Sequence, residues 1–241
     1  MLIAEIGLNH LGNKFLAKDY IDKLIDTYVE GITFQVREPE YYNTNPHLKL
    51  SNNDYIELIN FIKKGNKKVG IAIADINSID FFENLEVDFY KVIRNDITNN
   101  KLIERLVSTN KKIIVSTGTC SETIIQNFIK KFKSNNIVLN HTQLSYDIKD
   151  CNLSAINTLK SKFNINVSYG SHCDNHNVLY MALCYQPVDI LFYVKRNSSF
   201  KYPDNKHAIL LSDVDIISRN LKNLNMAIGT GNKKQMKIKI K

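Results

Sequence analysis

The chain has little that would place it in a membrane, a secreted scaffold or a zinc module. Although 44% of its 241 residues are hydrophobic, no apolar run approaches the roughly 20 residues that a membrane-spanning helix needs. Its start shows no succession of basic segment, apolar stretch and cleavage site, so no secretory leader is expected and a cytoplasmic setting is. Four cysteines, Cys120, Cys151, Cys173 and Cys184, lie far apart without a C-x-x-C pair, which argues against a disulfide framework and a zinc knuckle. The G-x-G-x-x-G fingerprint of dinucleotide folds is missing too, because Gly7 and Gly12 have the wrong spacing. Concentrated charge is scarce. The net charge is +8 and the pI about 9.1, yet the lysines are scattered among asparagines, which describes a solvated surface. Only the tail, 230–241, is dense in lysine; it reads as a frayed end, and the alternation from Lys237 to Lys241 equally fits an edge strand. Small molecules are therefore the expected partners, with no nucleic acid and no membrane.

What is present is a repeated unit: a short β-branched apolar run, a polar loop, then an amphipathic helical pattern. Eight strands are predicted at 2–7, 31–36, 69–74, 88–93, 112–116, 137–141, 166–169 and 189–195. Helices are predicted at 14–28, 53–64, 79–84, 99–109, 121–132, 152–163, 175–185 and 212–226. Continuously apolar strands alternating with helices imply a parallel sheet covered on its faces. Short, nearly equal units in a chain of this length suit a closed (β/α)8 TIM barrel forming a single domain over 1–241. An open doubly wound sheet is the alternative. Ser121 ahead of Glu122, and Ser212-Asp213-Val214-Asp215, mark two helix starts.

Catalytic groups of such a barrel gather at the carboxyl ends of its strands. Those ends read Glu5 with Asn9 and His10, Gln35 with Arg37, Asp75, Lys91 with Arg94 and Asp96, Ser116-Thr117-Gly118, His141 with Gln143, Ser171-His172, and Lys195-Arg196. Glu5 and Lys91 stand inside apolar strands, where a lone charge costs several kcal/mol unless it meets an opposite charge. Each is a candidate partner for the other. Lys91, Arg94, Ser116 and Thr117 together suit a phosphorylated or carboxylated small molecule. His172 is the best candidate metal ligand in the segment 171–176, ahead of Cys173 and His176.

Several of these pieces resemble the sialic acid synthase family. Ala4-Glu5-Ile6-Gly7-Leu8-Asn9-His10-Leu11-Gly12, Phe34-Gln35, Tyr90-Lys91, Ile114-Val115-Ser116-Thr117-Gly118, Ser171-His172 and Tyr202-Pro203-Asp204 follow the family's order along the whole chain. The resemblance implies a TIM-barrel transferase that condenses phosphoenolpyruvate with an N-acetylated amino-sugar aldehyde, giving a nonulosonic acid and phosphate, with a divalent metal (Mn or Mg) and a homodimeric assembly. It implies catalytic roles for Glu5, Lys91 and Asp96, substrate contacts from Asn9, Gln35, Arg94, Ser116, Thr117, Gln143 and Asp204, and a metal bond from His172.

The chain departs from the family at several positions. Thr33 stands where a lysine for phosphoenolpyruvate is usual, and Val194 where the second metal histidine is expected. Gly170 replaces a serine, Gln143 an asparagine, and Arg94-Asn95 a serine-glycine pair. Arg94 and Lys195 stand beside these gaps and are expected to restore the lost charge. Family members usually carry a further small domain that reaches into the neighbouring subunit. Two other readings remain open: a barrel that binds a phosphorylated ligand or partner without turnover, and an aldolase or lyase using Lys91 as an amine nucleophile.

Overall fold

Strands of a parallel barrel are covered on both faces, so their residues should be buried without alternation. β2 (Gly31–Val36) and β6 (Ile137–Thr142) are buried at all six positions, and β1 (Leu2–Gly7) at five of six. In this computed structural model, residues 1–233 are described, the side chain of Asn95 apart; 234–241, with the expected edge strand, lie outside the described residues. These three strands pair in chain order with β3 (Lys68–Ile73), β4 (Phe89–Val92), β5 (Lys112–Ser116), β7 (Val167–Ser171) and β8 (Ile190–Lys195), all in parallel, and β1 pairs with β8. The sheet is therefore closed, and the fold is the (β/α)8 barrel.

The helices between the strands are α1 (Lys14–Ile25), α2 (Pro39–Thr44), α3 (Asn52–Lys64), α4 (Ile79–Asn84), α5 (Asn100–Val107), α6 (Glu122–Lys131), α7 (Ala155–Phe163) and α8 (Val178–Ala182), with α9 (Leu211–Ile228) closing the series. Their starts follow local chemistry. Asn13 Oδ1 accepts from the amides of Phe15 and Leu16, and Ser51 forms a reciprocal capping box with Asp54. Ser121 caps α6 as expected. Ser212 does not cap α9, which begins one residue before it, although Asp213 does sit in its first turn. Two elements escape the sequence pattern because they are too short to show a period. One is α2, with Pro39 in its first turn; the other is β9 (Ile209–Leu210), which pairs with Val194 and Lys195 and pins the connection after β8 over the barrel. The predicted helix over 175–185 resolves into α8 and a 3-10 turn at Leu183–Tyr185.

Side-chain parity then decides what faces the barrel axis. Ile3, Phe89, Ile114 and Leu191 form a small cluster separate from the main core, which identifies them as the plug inside the barrel. Phe89 fills the axis only because its neighbour lacks a side chain: a Cβ on Gly70 would stand 2.2 Å from its ring. Two residues further along the same strands come Glu5, Lys91, Ser116 and Tyr193, on the same face and one layer nearer the carboxyl ends. Ile190, Phe192 and Val194 have the opposite parity and belong to the main core between barrel and helices.

Candidate functional site

Glu5 and Lys91 meet in that polar layer. The Lys91 ammonium donates to both Glu5 oxygens, at 2.6 and 2.8 Å, with both side chains almost completely buried. A pair so placed owes its existence to the partner, since either charge alone would be strongly destabilising. Two of the three ammonium hydrogens face Glu5, which leaves one for a ligand. Above the pair opens a cavity of about 420 Å³, lined by Gln35, Lys91, Arg94, Ser116, Thr119, His172, Tyr193, Asp204 and His207, with Leu144, Tyr146 and Pro203 at its rim. A larger hollow of about 660 Å³ lies among Met1, Glu30, Lys67 and Lys222, at the opposite end of the strands, and brings together none of the candidate groups.

The electrostatics of the mouth are set by burial. Asp204 has its carboxyl pushed up to about 7, first by burial and then by the negative charge of Glu5, against the pull of Lys91 and Arg94. His172 is pushed down to about 3 by burial, with His207 and Lys91 adding to the effect. His207 is lowered to about 4 for the same first reason. Both imidazoles are neutral at physiological pH, the form in which they can bind a cation. Tyr193 is buried, its phenol pushed up by burial and then by Glu5 and Asp204, and its ring lies 5.5 Å from the Lys91 ammonium.

Of the candidates read from sequence, Glu5 sits beneath this cavity and Gln35, Lys91, Arg94, Ser116, His172 and Asp204 line it. Arg94 adopts φ 49°, a left-handed backbone that turns the chain sharply after β4. Four others do not line it. Asn9 is completely enclosed; its amide donates to the Val194 carbonyl at 2.8 Å and accepts from the Asp204 amide at 3.1 Å, which makes it a brace for the segment carrying Asp204. Thr117 donates to the Asn140 carbonyl. Asp96 lies in an adjoining cavity of about 390 Å³ with Arg37, Glu38 and Arg94, its carboxyl raised by burial and by Glu38. Gln143 is half-buried outside the lining. Lys195 donates to the Asn205 carbonyl and fastens the loop, so Arg94 is the cation that stands at the gap.

Other potential donors near His172 do not line the mouth. His141 donates through Nε2 to the Cys151 carbonyl at 3.0 Å, Cys173 packs in the main core, Asp174 is exposed, and His176 does not line the cavity. Val194 also requires correction. It is completely buried among the outer core residues, so the residue of β8 that faces the mouth is Tyr193. Sequence reasoning missed Tyr193 and His207. The first shows itself only through strand parity; the second sits in an irregular connection with no period, three residues after Asp204. Gly170 has a structural reason: a Cβ there would stand 2.6 Å from Asn140 Nδ2, so the buried Asn140 amide occupies the space a serine would need.

Residues 18–233 match the NeuB family. The chain belongs to the NeuB family. It is 32% identical, over 71% of its length, to an uncharacterized protein of Methanocaldococcus jannaschii, of which it spans 55%. It is 25% identical, over 98% of its length and 80% of the relative, to N,N'-diacetyllegionaminic acid synthase of Campylobacter jejuni. Its fold matches N-acetylneuraminic acid (sialic acid) synthetase of Leptospira borgpetersenii, solved in complex with citrate, with a TM-score of 0.89 at 24% identity, covering 98% of this chain and 87% of that one.

The chemistry of the donor set bears on the divalent metal implied by the family resemblance. Among the described residues no three His, Cys, Asp or Glu side chains converge on one point. At the mouth the neutral pair His172 and His207 have ring centroids 4.6 Å apart, with Asp204 Oδ1 3.8 Å from His207 Nε2. These donors suit a borderline first-row cation better than Mg, which prefers all-oxygen ligands.

Proposed function

We propose that this NeuB-family chain condenses phosphoenolpyruvate with an N-acetylated amino-sugar aldehyde to give a nonulosonic acid and inorganic phosphate. The observation that carries the reading is the buried Glu5–Lys91 pair opening onto Arg94 and Asp204 at the mouth of the barrel. A small dianion finds two cations there, one desolvated and one on the rim, and charge-assisted hydrogen bonds are strongest in such a setting. Ser116 and Gln35, both almost buried, complete a polar wall.

In this scheme Lys91 uses its remaining N–H to hold the phosphate or carboxylate of phosphoenolpyruvate, and Glu5 fixes the ammonium so that it cannot swing away. Arg94 neutralises the second anionic group. The bond that forms joins C3 of phosphoenolpyruvate to the aldehyde carbon, whose oxygen takes up a proton and becomes a hydroxyl. Water adds at C2, the C2–O bond to phosphate breaks, and the second proton of water leaves. Asp204, balanced near neutrality, is placed to hold or release one of these protons. A divalent cation held by His172 and His207 would polarise the aldehyde oxygen when bound. Asn9 holds Asp204 in place through the backbone and is a positioning residue.

An aldolase acting through a Lys91 Schiff base would first have to break the ion pair with Glu5. That weighs against the amine-nucleophile alternative. The test is phosphate release from phosphoenolpyruvate in the presence of N-acetylmannosamine or a 2,4-diacetamido hexose, with and without Mn2+. Release that depends on the sugar is the expected result; no release with any of these acceptors, together with no calorimetric binding of phosphoenolpyruvate, would refute the proposal.

A further inference from the structure

Outside the mouth, two buried polar groups without partners line one small cavity. It lies between the end of β2 and the helices α2, α3 and α4, has a volume of about 170 Å³, and counts Arg37, Tyr42, Lys49, Tyr55, Asp75 and Ser78 in its wall. Arg37 is 8% exposed. Glu38 accepts from its Nε and Nη2 at 2.9 and 2.6 Å, and the guanidinium lies 4.1 Å from the centre of the Tyr41 ring, yet Nη1 is buried with no hydrogen-bond partner among the described residues. The Tyr55 hydroxyl is buried and unpartnered in the same way. Tyr42 is its polar neighbour, but the Tyr42 oxygen accepts from the Arg37 amide at 3.2 Å, and the two hydroxyls make no hydrogen bond of acceptable geometry. A guanidinium N–H can only donate, and a buried donor left unused costs the full desolvation of that group. A ligand rich in acceptor oxygens would satisfy both residues at once.

We infer that this cavity is a site for a small tetrahedral oxyanion of the phosphate class, held by Arg37 Nη1 and the Tyr55 hydroxyl, with Lys49 adding a second positive charge at its edge. Charge supports this. Lys49 is exposed, its ammonium lies 5.6 Å from the Tyr42 ring, and no ion pair holds it among the described residues. Asp75 is the one carboxylate in the wall, and its oxygens accept from the Asn77 amide and the Ser78 hydroxyl, so its charge is directed into its own turn. Size supports it too. At about 30 Å³ per water the cavity holds roughly five waters, which suits the five heavy atoms of a phosphate and falls below the roughly 300 Å³ at which pockets for larger organic ligands begin. The organic part of a phosphate ester has no room, so the free anion is the occupant. Arg37 also lines the cavity of about 390 Å³ that shares Arg94 with the mouth, so one cavity separates this site from the Glu5–Lys91 pair. The inference concerns this anion alone and holds whether or not the proposed condensation takes place.

The decisive measurement uses selenate, a sulfate analogue with an anomalous X-ray signal. Crystals of the full chain grown without phosphate or sulfate and soaked in millimolar selenate should show an anomalous peak between Arg37 Nη1 and the Tyr55 hydroxyl. Solution stability gives an independent reading through Tyr55→Phe, which keeps the ring and its edge contacts with Phe34 and Phe82. In buffer free of phosphate the variant should melt no lower than the parent, because the hydroxyl it deletes has no partner to lose. Added phosphate should then raise the thermal midpoint of the parent by about 2 °C more than that of the variant. General salt stabilisation and binding at the mouth act on both proteins alike and cancel in that difference. Acetate should produce little of the difference. A selenate peak at the mouth alone, ordered water in the cavity that selenate does not displace, or equal shifts in the two proteins would overturn the site, and an equal effect from acetate would overturn the tetrahedral class. The anomalous map needs no variant, so a misfolded substitution cannot obscure the answer.

Discussion

Replacing Lys91 with methionine removes one charge of a pair and leaves the other where water barely reaches it. Glu5 is 2% exposed and its two oxygens have the Lys91 ammonium as partner at 2.6 and 2.8 Å. At an effective dielectric near 20 the attraction across 2.6 Å is about 6 kcal/mol, most of it offset by the desolvation of both groups. What the single variant forfeits is the attraction without recovering the desolvation of Glu5, and breaking a buried pair in this way costs about 3 to 5 kcal/mol. Glu5→Gln should cost a similar amount for the mirror-image reason. The double variant Glu5→Gln with Lys91→Met buries no charge and should cost much less than the two singles added together. Urea unfolding of the four proteins at one pH gives the cycle. A Lys91→Met variant within about 1 kcal/mol of the parent, or a double variant whose cost equals the sum, would refute the view that the pair is a mutually dependent unit.

The anion reading adds a second consequence at the same residue: Lys91→Ala should weaken phosphoenolpyruvate binding by about 2 to 4 kcal/mol, roughly 30- to 700-fold by calorimetry. His10, fully buried with Nδ1 accepting from the Gly12 amide, has its imidazole pushed from 6.5 to about 3 by burial. The unfolded chain therefore takes up a proton that the folded chain refuses, and stability falls by about 1.4 kcal/mol per pH unit from this residue as pH drops below 6.5; His10→Asn keeps an acceptor for Gly12 and should remove that slope from acid-unfolding curves. Gly70→Ala puts a Cβ 2.2 Å from the Phe89 ring, and should lower stability by about 1 to 3 kcal/mol, read from the thermal midpoint. Asn9→Ala deletes one buried and one partly buried hydrogen bond and frees the Asp204 segment, so a loss of about 2 kcal/mol in urea should accompany weaker sugar binding.

The barrel itself was legible in the sequence because its signal is repeated. Eight apolar runs alternate with eight helical patterns, and each run is short enough that a strand explains it better than a helix. The ends of elements were less legible. The predicted strand over 166–169 stops short of Ser171, since Gly170 and Ser171 look like loop, yet they complete a ladder against β8. Glu5 and Lys91 were readable as partners because charges inside apolar strands announce a need. Asn9 and Thr117 were read as substrate contacts because a polar residue at a strand end looks the same in sequence whether it faces a ligand or a backbone carbonyl. Only the hydrogen bonds distinguish the two, and here they run to Val194, Asp204 and Asn140.

The last strand shows how one residue of register alters a functional argument. Matching Val194 to a metal histidine makes the site look deprived of a ligand, and it suggests that Val194→His would restore one. Parity contradicts that step. Val194 is wholly enclosed in the core between barrel and helices, whereas Tyr193 lines the mouth with its ring 5.6 Å from that of His172. A histidine at 194 would bury a polar ring among aliphatic side chains, costing about 1 to 3 kcal/mol, and should leave Mn2+ affinity where it was. A histidine at 193 would enter the cavity instead, beside two imidazoles already present. If His207 supplies the second nitrogen, Tyr193→His should add a third and tighten Mn2+ binding, and it should partly rescue a chain that also carries His207→Asn. Rescue by Val194→His, or none by Tyr193→His in a folded chain, would mean that β8 is registered differently from the parity set out above.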